Sequence, residues 1–278
     1  MLYISGLATE GESSFSVRKL FPITEKSFVT LKRMTMLDAA MELIVNGEAI
    51  PLAYSNDSLE CIFTTDYEFT SGDRITVKVS TAGMPEAICE TIMPDWPEVI
   101  SMSCERVDGK TVDFNAAIQT EPDKMDGYVY SLNIERLTEY YIDSKKVSET
   151  IDTISQSLHS GDRTKTIYYK NRPVTGYEAA SQSGIHSLSK TIILTDLPET
   201  TDDDGHTVRA ESTIRRVRLC ALHLSEPLYL SLKTSRIRVD YDSESEISFV
   251  APLEYSNING AKGTIGCATA YQSEWMGL

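Results

Sequence analysis

Short apolar runs separated by turn residues fill the first hundred residues of this chain, and they constrain its fold more than any other feature. Arg74–Ser80 is the clearest run, because apolar and polar residues alternate along it. A period of two places Ile75, Val77 and Val79 on one face of a strand. About seven such runs in roughly ninety residues are typical of an immunoglobulin-like sandwich.

Glycine-containing dipeptides mark turns between the runs. Asn46-Gly47 lies between two apolar stretches, and Asn-Gly is a strong hairpin signal because a type I′ turn needs positive φ at both central residues. Asp108-Gly109 predicts a second hairpin, between strands over Val99–Val107 and Thr111–Gln119. The seven runs before residue 94 are Leu2–Leu7, Ser14–Leu20, Ala39–Val45, Glu48–Tyr54, Leu59–Thr65, Arg74–Ser80 and Glu86–Met93, and Phe28–Lys32 is a further candidate.

The segment Pro94-Asp95-Trp96-Pro97 predicts a domain boundary. Two prolines oppose both helix continuation and strand pairing, and a chain of 278 residues commonly forms two domains. We therefore predict a mostly β protein, with an N-terminal immunoglobulin-like β-sandwich over residues 1–94. A larger β-rich domain with one or two helices follows over 95–278. Trp96 is expected to pack at the boundary, and a partner-facing role for it stays open.

The second predicted domain contains longer runs and one helix signal. Ser225-Glu226-Pro227 combines a capping hydroxyl, an acid and a first-turn proline, which favours a helix over Leu228–Val239. An alternating strand there is the alternative. Residues 139–164 are predicted to be irregular or weakly helical, because the apolar residues of Val147–Leu158 have helical spacing. Further predicted strands are Gly127–Arg136, Lys165–Tyr169, Lys190–Leu194 and Thr213–Leu224.

Composition excludes several classes of function. The chain has 41 acidic and 26 basic residues and a net charge of −15. This argues against nucleic acid as a partner, since affinity for phosphates comes mainly from lysine and arginine. It also argues against direct docking on an anionic bilayer. No apolar run is long enough for a membrane-spanning helix.

The five cysteines have no zinc-like spacing. They are predicted to be buried free thiols on strands. A Cys61–Cys89 disulfide is the alternative.

Three glycines and two asparagines lie within ten residues of the closing segment, Tyr255–Gly266. Such a run predicts positive φ values and close backbone approach. Asn257 and Asn259, together with Tyr255, form a candidate ligand-binding loop. The alternative is an ordered crossover in which asparagine side chains cap the backbone, and this alternative is favoured because such turns need no ligand.

Three parts of the chain resemble the DUF4249 family of Bacteroidetes envelope lipoproteins, whose function is unknown. The first is the opening Leu2-Tyr3-Ile4-Ser5-Gly6-Leu7, and the second is Glu226-Pro227-Leu228-Tyr229. The third is Tyr255-Ser256-Asn257-Ile258-Asn259-Gly260 with Gly263 and Gly266, which is similar to the terminal family pattern. The chain departs from that pattern at Ile265, where phenylalanine is usual, and in its spacing around Lys262.

The resemblance implies a two-part, β-rich outer-membrane lipoprotein on the periplasmic or surface face of the cell envelope. Genes of the family lie beside TonB-dependent receptors. The expected partner is therefore such a receptor, or a glycan or peptide solute. The family's export signal and lipidated cysteine do not occur in this sequence. The resemblance thus implies a mature chain without its anchor, which would be its contact with the membrane.

Clustered tyrosines are further candidates for binding. Exposed Tyr168 and Tyr169, like Trp96, would stack on sugar rings or anchor a protein partner. Cross-strand packing is the favoured alternative for these tyrosines and for Tyr128, Tyr130 and Tyr140-Tyr141.

No catalytic, cofactor or metal site is predicted. Asp202-Asp203-Asp204-Gly205 is similar to part of a calcium loop, but no downstream acid completes it. This stretch lies in a predicted acidic loop over Pro198–His206. It and the acidic run Asp240–Glu246 are interpreted as solvated loops. The leading hypothesis is a non-enzymatic accessory lipoprotein associated with TonB-dependent nutrient uptake. The alternatives are a stand-alone glycan-binding module and an envelope hydrolase, which would need two carboxylates across a cleft.

Overall fold

A computed structural model describes residues 2–19, 39–55, 61–158, 166–169, 172–175, 178–179, 183–201, 205–234 and 255–278. For residues 19, 166–169, 172–175, 178, 179 and 197 it describes the backbone alone. The predicted strand Phe28–Lys32 and the acidic run Asp240–Glu246 lie outside the described residues. So do Asp202, Asp203 and Asp204 of the predicted acidic loop.

The protein is mostly β, as predicted. The strands before residue 94 are β1 (Leu2–Ala8), β2 (Ser13–Lys19), β3 (Ala40–Val45), β4 (Glu48–Ile50), β5 (Ala53–Ser55), β6 (Cys61–Thr65), β7 (Arg74–Ser80) and β8 (Ala87–Ile92). The next are β9 (Glu98–Arg106), β10 (Thr111–Gln119), β11 (Gly127–Ile142), β12 (Lys145–Ser157), β13 (Thr166–Tyr169), β14 (Arg172–Thr175), β15 (Glu178–Ala179), β16 (Ile185–Ile193), β17 (Leu197–Thr201) and β18 (Thr207–Leu224). Helix α1 (226–234) and strands β19 (Ile258–Asn259), β20 (Lys262–Gln272) and β21 (Met276–Gly277) follow.

Two compact units make up the protein, and each is assembled from three stretches of chain. The first unit contains residues 1–96, 123–128 and 222–270. The second contains residues 97–122, 129–221 and 271–278. The predicted domains, 1–94 and 95–278, are each one continuous stretch, although the division at Trp96 and Pro97 lies close to the predicted boundary.

The first unit has two sheets around one hydrophobic core, which is a sandwich-like arrangement. Within this unit, one sheet contains the run β20-β1-β2-β6-β5, and the other has the order β19-β8-β7-β3-β4. Phe15 and Val17 of the first sheet and Ile75, Val77 and Val79 of the second belong to the same core. The alternation in β7 therefore buries the face that its sequence predicts. An immunoglobulin-like strand topology remains a prediction.

The sandwich includes strands from the end of the chain. β20 pairs in parallel with β1, and β19 pairs antiparallel with β8. Residues 1–94 therefore do not complete these sheets by themselves. Gly260 and Gly263 have φ values of +88° and +112°, so the positive-φ prediction for the closing segment is confirmed.

Both predicted glycine-containing hairpins are present. Asn46 and Gly47 have φ values of +54° and +90°, the signs that a type I′ turn needs. The Asn46 amide also donates to Asp73 Oδ1 at 2.7 Å. In the second hairpin, Asp108 Oδ1 accepts bonds from the backbone N–H groups of Lys110 and Thr111, both at 2.7 Å.

Two predictions for the second unit are wrong. The apolar stripe of Val147–Leu158 is not helical, because β12 pairs antiparallel with β11 along its length. Asp143 and Ser144 have φ values of +47° and +67° and form the turn of this hairpin. Strand pairing thus overrides the local helical spacing. Val147, the first residue of the apolar stripe, is 52% exposed and does not belong to a buried helical face. In the predicted loop Pro198–His206, residues up to Thr201 belong to β17, which pairs with β18.

Other sheets of the second unit are β16-β10-β9 and the pair β13-β14. All five cysteines are free, so the alternative of a Cys61–Cys89 disulfide is wrong. Cys61, Cys89 and Cys267 are buried on strands as predicted, whereas Cys104 and Cys220 are half-buried.

The predicted helix begins at Glu226, directly after Ser225, the residue at the predicted cap position. The described part ends at Thr234, and the remainder of the predicted range Leu228–Val239 lies outside the described residues. The Tyr229 N–H donates to the Ser225 carbonyl at 3.0 Å, which closes the first helical turn. No helix among the described residues combines the length and apolarity needed to span a membrane.

Candidate functional site

A cleft of about 750 Å³ opens in the first unit, and we call it the first-unit cleft. Its size lies within the range of about 300–1,000 Å³ that is usual for small-molecule sites. Three segments form its walls: the end of β8 with residues 93–95, the turn 123–126, and the start of α1. The lining residues are Gly72, Glu90, Thr91, Ile92, Met93, Pro94, Asp95, Asp123, Lys124, Met125, Asp126, Ser225, Glu226 and Pro227.

Backbone hydrogen bonds fix the wall that follows β8. The Met93 N–H donates to the Asp73 carbonyl at 2.9 Å, and the Gly72 N–H donates to the Met93 carbonyl at 3.0 Å. The Met93 side chain is buried in the core. The Ser71 hydroxyl donates to Asp95 Oδ1. These bonds therefore hold the wall in place beyond the end of β8, where Pro94 cannot donate a backbone hydrogen bond.

A buried histidine ties the three segments together. His223 Nδ1 lies 2.8 Å from the Asp95 carbonyl oxygen, and His223 Nε2 lies 3.0 Å from Asp126 Oδ2. The ring is 2% exposed. It stacks on Tyr128 with 4.4 Å between ring centroids. A carbonyl can only accept, so Nδ1 donates its proton to Asp95.

Both nitrogens of His223 are therefore engaged inside the fold. A general base must have a nitrogen within hydrogen-bond reach of the proton that it removes. His223 would have to break a bond to Asp95 or Asp126 before it could act on a bound molecule. In this arrangement the His223–Asp126 pair serves to position the cleft walls.

Strand β20 fixes the start of α1 through Ser225. The Ser225 hydroxyl accepts a bond from the Cys267 N–H at 2.9 Å, and the Ser225 N–H donates to the Cys267 carbonyl at 2.9 Å. Gly127 follows the turn 123–126, and a Cβ there would lie 2.5 Å from the Tyr229 ring. The helix start and the turn can therefore approach closely only with glycine at residue 127.

The charges that line the cleft are mostly negative. The lining includes five carboxylates and one cation, Lys124, whereas the whole chain has 41 acids to 26 bases. Lys124 Nζ lies 3.6 Å from Asp95 Oδ2. Glu90, Asp123 and Glu226 are exposed and have no hydrogen-bond or ion-pair partner among the described residues. The described lining of the cleft thus has an excess of negative charge that the described side chains do not neutralise.

Two large apolar side chains of the cleft also face solvent. Ile92 is 55% exposed and Met125 is 56% exposed. Single exposed apolar residues are ordinary, but two in one concave site provide a surface that a bound molecule can cover. No aromatic side chain occurs among the described residues that line the cleft. Within the described part of the chain, no group of three His, Cys, Asp or Glu residues is arranged to hold a metal ion.

The predicted ligand loop is bonded into the sandwich. The Asn257 amide nitrogen donates to the Ile265 carbonyl at 2.8 Å, and Asn257 Oδ1 accepts from the Ile265 N–H at 3.1 Å. This geometry is what the structural alternative for the closing segment predicts. Asn259 is exposed in β19. A ligand-binding role for either residue stays a prediction.

Tyr255 is half-buried beside the same strands. Its carbonyl accepts from Thr264 Oγ1 at 3.1 Å. Burial raises the pKa of the Tyr255 phenol, and the negative charge of Glu226 adds to this effect.

The other predicted site residues are not gathered at this loop. Trp96 belongs to the first unit, follows Asp95 and is 47% exposed. Tyr168 and Tyr169 lie on β13 of the second unit, opposite Pro173 and Arg172 on β14. Their side chains lie outside the described residues. Tyr128 and Tyr130 are buried, as the packing alternative predicts.

Sequence reasoning did not identify the residues of the first-unit cleft. The usable signal was His223, a lone histidine in the apolar stretch Leu219–Leu224, because a buried histidine needs polar partners. Those partners are 128 and 97 residues away along the chain, at Asp95 and Asp126. Nothing local in the sequence connects them.

No family model and no curated protein matches the chain. The resemblance to the DUF4249 family therefore stays a prediction. The function must be argued from the cleft itself.

Proposed function

We propose that the protein is a non-enzymatic binding protein that holds a small solute in its first-unit cleft. The observation that carries the proposal is one concave site that combines exposed Ile92 and Met125 with carboxylates that have no hydrogen-bond or ion-pair partner among the described residues. Such a site provides binding contacts at several points. His223, which lies beside the site, has both ring nitrogens bonded within the fold.

The cellular setting of the proposal comes from the family resemblance. A solute-binding lipoprotein at the outer membrane would deliver its ligand to a TonB-dependent receptor, or hold the ligand near one. Fractionation of cells that make the native protein tests this setting. We expect the protein in the outer-membrane fraction. Its recovery from the cytoplasmic fraction alone would contradict the proposed location and leave the binding proposal standing.

Binding is tested with solutes of several chemical classes. Protein with carbon-13 methionine methyl groups is titrated with amino acids, short peptides, polyamines and oligosaccharides. The Met125 signal is assigned from its loss in Met125→Leu. We expect at least one class to shift this signal in a saturable way. If no class shifts it, the cleft is not a solute site and the proposal is wrong.

The two alternatives predict different outcomes of the same titration. A stand-alone glycan-binding module would respond to oligosaccharides alone, but sugar sites usually supply aromatic faces, and the described lining has none. An envelope hydrolase would convert an added substrate during the titration. Both alternatives therefore remain distinguishable from simple binding.

A further inference from the structure

We propose that the ligand of the first-unit cleft is a short free peptide in which lysine or arginine adjoins a large apolar residue. This inference rests on the proposed function and names its class of solute. It follows from the charge, the apolar surface and the size of the cleft.

The charge of the cleft selects a cation. Glu90, Asp123 and Glu226 have no partner among the described residues, and Lys124 pairs with Asp95. An anionic ligand would add a further negative charge to a wall with five carboxylates and one lysine. Like charges in one site oppose binding, whereas complementary charges favour it. A lysine or arginine side chain supplies the missing positive charge.

The apolar surface of the cleft selects a ligand with an apolar side chain beside its cation. Ile92 and Met125 are both more than half exposed. Methionine suits such contacts because its unbranched side chain adapts to differently shaped partners. A polyamine or free lysine would neutralise the carboxylates but would leave much of the apolar surface of Ile92 and Met125 exposed to solvent. A basic–apolar pair in a peptide satisfies both requirements.

The size of the cleft favours a free peptide over the surface of a folded protein. A volume of about 750 Å³ is that of a small-molecule site. Its walls are also fixed in advance, by the bonds of His223 to Asp95 and Asp126 and by those of Ser225 to Cys267. A ligand therefore loses little affinity to ordering of the site.

Capped tetrapeptides test the proposal. Ala-Lys-Leu-Ala, acetylated and amidated to remove its terminal charges, is compared with Ala-Gln-Leu-Ala, Ala-Lys-Ser-Ala and Ala-Glu-Leu-Ala. Calorimetry measures affinity, and the Met125 methyl signal reports the place of binding. We expect Ala-Lys-Leu-Ala to bind at Met125 and each comparison peptide to bind about tenfold more weakly or not at all. Added salt should weaken the binding.

Matched charge variants test the role of the carboxylates. The cleft variant combines Glu90→Gln, Asp123→Asn and Glu226→Gln. The control combines Glu48→Gln, Asp66→Asn and Glu68→Gln, which removes the same charge from exposed positions outside the cleft lining. We expect about a tenfold or greater loss of affinity in the cleft variant and little change in the control. Equal losses would show a general effect of net charge and overturn the proposal.

The outcomes separate this inference from the proposed function. If another solute shifts Met125 and Ala-Lys-Leu-Ala does not, the peptide inference is wrong and the binding function stands. If Ala-Gln-Leu-Ala binds as tightly as Ala-Lys-Leu-Ala, the cation is not recognised and the inference is also wrong. If no solute shifts Met125, both are wrong.

Discussion

The closing segment and the first-unit cleft both combine polar residues with tight backbone geometry, but they use their polar groups differently. In the closing segment, both polar atoms of the Asn257 amide bond the backbone of Ile265. In the cleft, the side chains of Glu90, Asp123 and Glu226 make no hydrogen bond or ion pair with any described residue. The closing segment, which is the more distinctive in the sequence, thus supports the fold. The cleft carboxylates have no distinctive sequence pattern, and their charges remain available to a ligand.

This difference suggests how a binding surface is distinguished from a structural motif. A polar group that is bonded within the fold contributes to stability and must lose that bond before it can bind a ligand. An exposed group without a partner contributes little to stability and can bind at lower cost. Substitutions in the two regions should therefore change different properties of the protein.

The largest expected loss of stability comes from Gly263→Ala. Gly263 has a φ of +112°, and a Cβ at this position would lie 1.8 Å from the Ile4 carbonyl oxygen. We expect a destabilisation of about 3–5 kcal/mol, measured by urea unfolding.

Gly47→Ala is the control for Gly263→Ala. Gly47 also has a positive φ, but no atom would lie within 4 Å of a Cβ added there. It should cost only about 1–2 kcal/mol. Equal losses of unfolding free energy in the two variants would mean that the contact between Gly263 and the Ile4 backbone does not affect stability.

Alkaline pH should produce the next largest effect, through thiols that lie near the closing segment. Burial raises the pKa of Cys89 and of Cys267 to about 12. Cys89 is paired with Ile258, and Cys267 lies on β20. These pKa values exceed those of the same thiols in the unfolded chain. The contribution of the two thiols to the free energy of unfolding is therefore complete below about pH 9. It is lost as the pH rises through about 12.

Urea unfolding at pH 8 and pH 10.5 measures this loss. We expect the two thiols together to reduce the free energy of unfolding by about 4 kcal/mol over this interval. The double variant Cys89→Ala with Cys267→Ala should show a flatter dependence on pH. If the free energy of unfolding of that variant falls as steeply with pH as that of the unsubstituted protein, groups other than these two thiols cause the alkaline loss of stability.

Asn257→Ala should have an intermediate effect. It leaves the N–H and the carbonyl of Ile265, a fully buried residue, without their side-chain partner. We expect a loss of about 2 kcal/mol in urea unfolding.

Asn259→Ala is the matched control in the same segment, since Asn259 is exposed. Its effect should stay within about 0.5 kcal/mol. A neutral result for Asn257→Ala would contradict the structural role of this amide.

Glu90→Gln should have the smallest effect on stability. The Glu90 side chain is exposed and makes no hydrogen bond or ion pair with another described residue, so we expect a change within about 0.5 kcal/mol. Thermal unfolding beside the unsubstituted protein measures it. A large loss would show that this carboxylate supports the fold and would remove the contrast with Asn257.

Much of the fold could be predicted because its signals are local. The alternation of Arg74–Ser80 and the Asn46-Gly47 turn both appear in the structure as the sequence predicts. The hairpin of β11 and β12 was missed, because the helical spacing of Val147 and Ile151 also fits a strand that pairs along its whole length. The contribution of β20 to the first sheet could not be predicted, since its parallel partner β1 lies at the other end of the chain.

Less of the candidate site could be predicted. The sequence indicates the helix start at Ser225, but not that the Ser225 hydroxyl is bonded to Cys267. Asp126 and His223 become a pair only when residues about a hundred positions apart are brought together. The spacing of Asn and Gly in the closing segment suggests a ligand loop. The structure explains it by the turn at Gly260 and by the close approach of Gly263 to β1.

The affinity of the capped Ala-Lys-Leu-Ala peptide for two variants tests the central contrast most directly. Calorimetry at a temperature where both variants are folded compares Asn257→Ala with the cleft variant of Glu90→Gln, Asp123→Asn and Glu226→Gln. We expect Asn257→Ala to retain the affinity of the unsubstituted protein and the cleft variant to lose it by about tenfold or more. Loss of affinity in Asn257→Ala with full retention in the cleft variant would contradict the account.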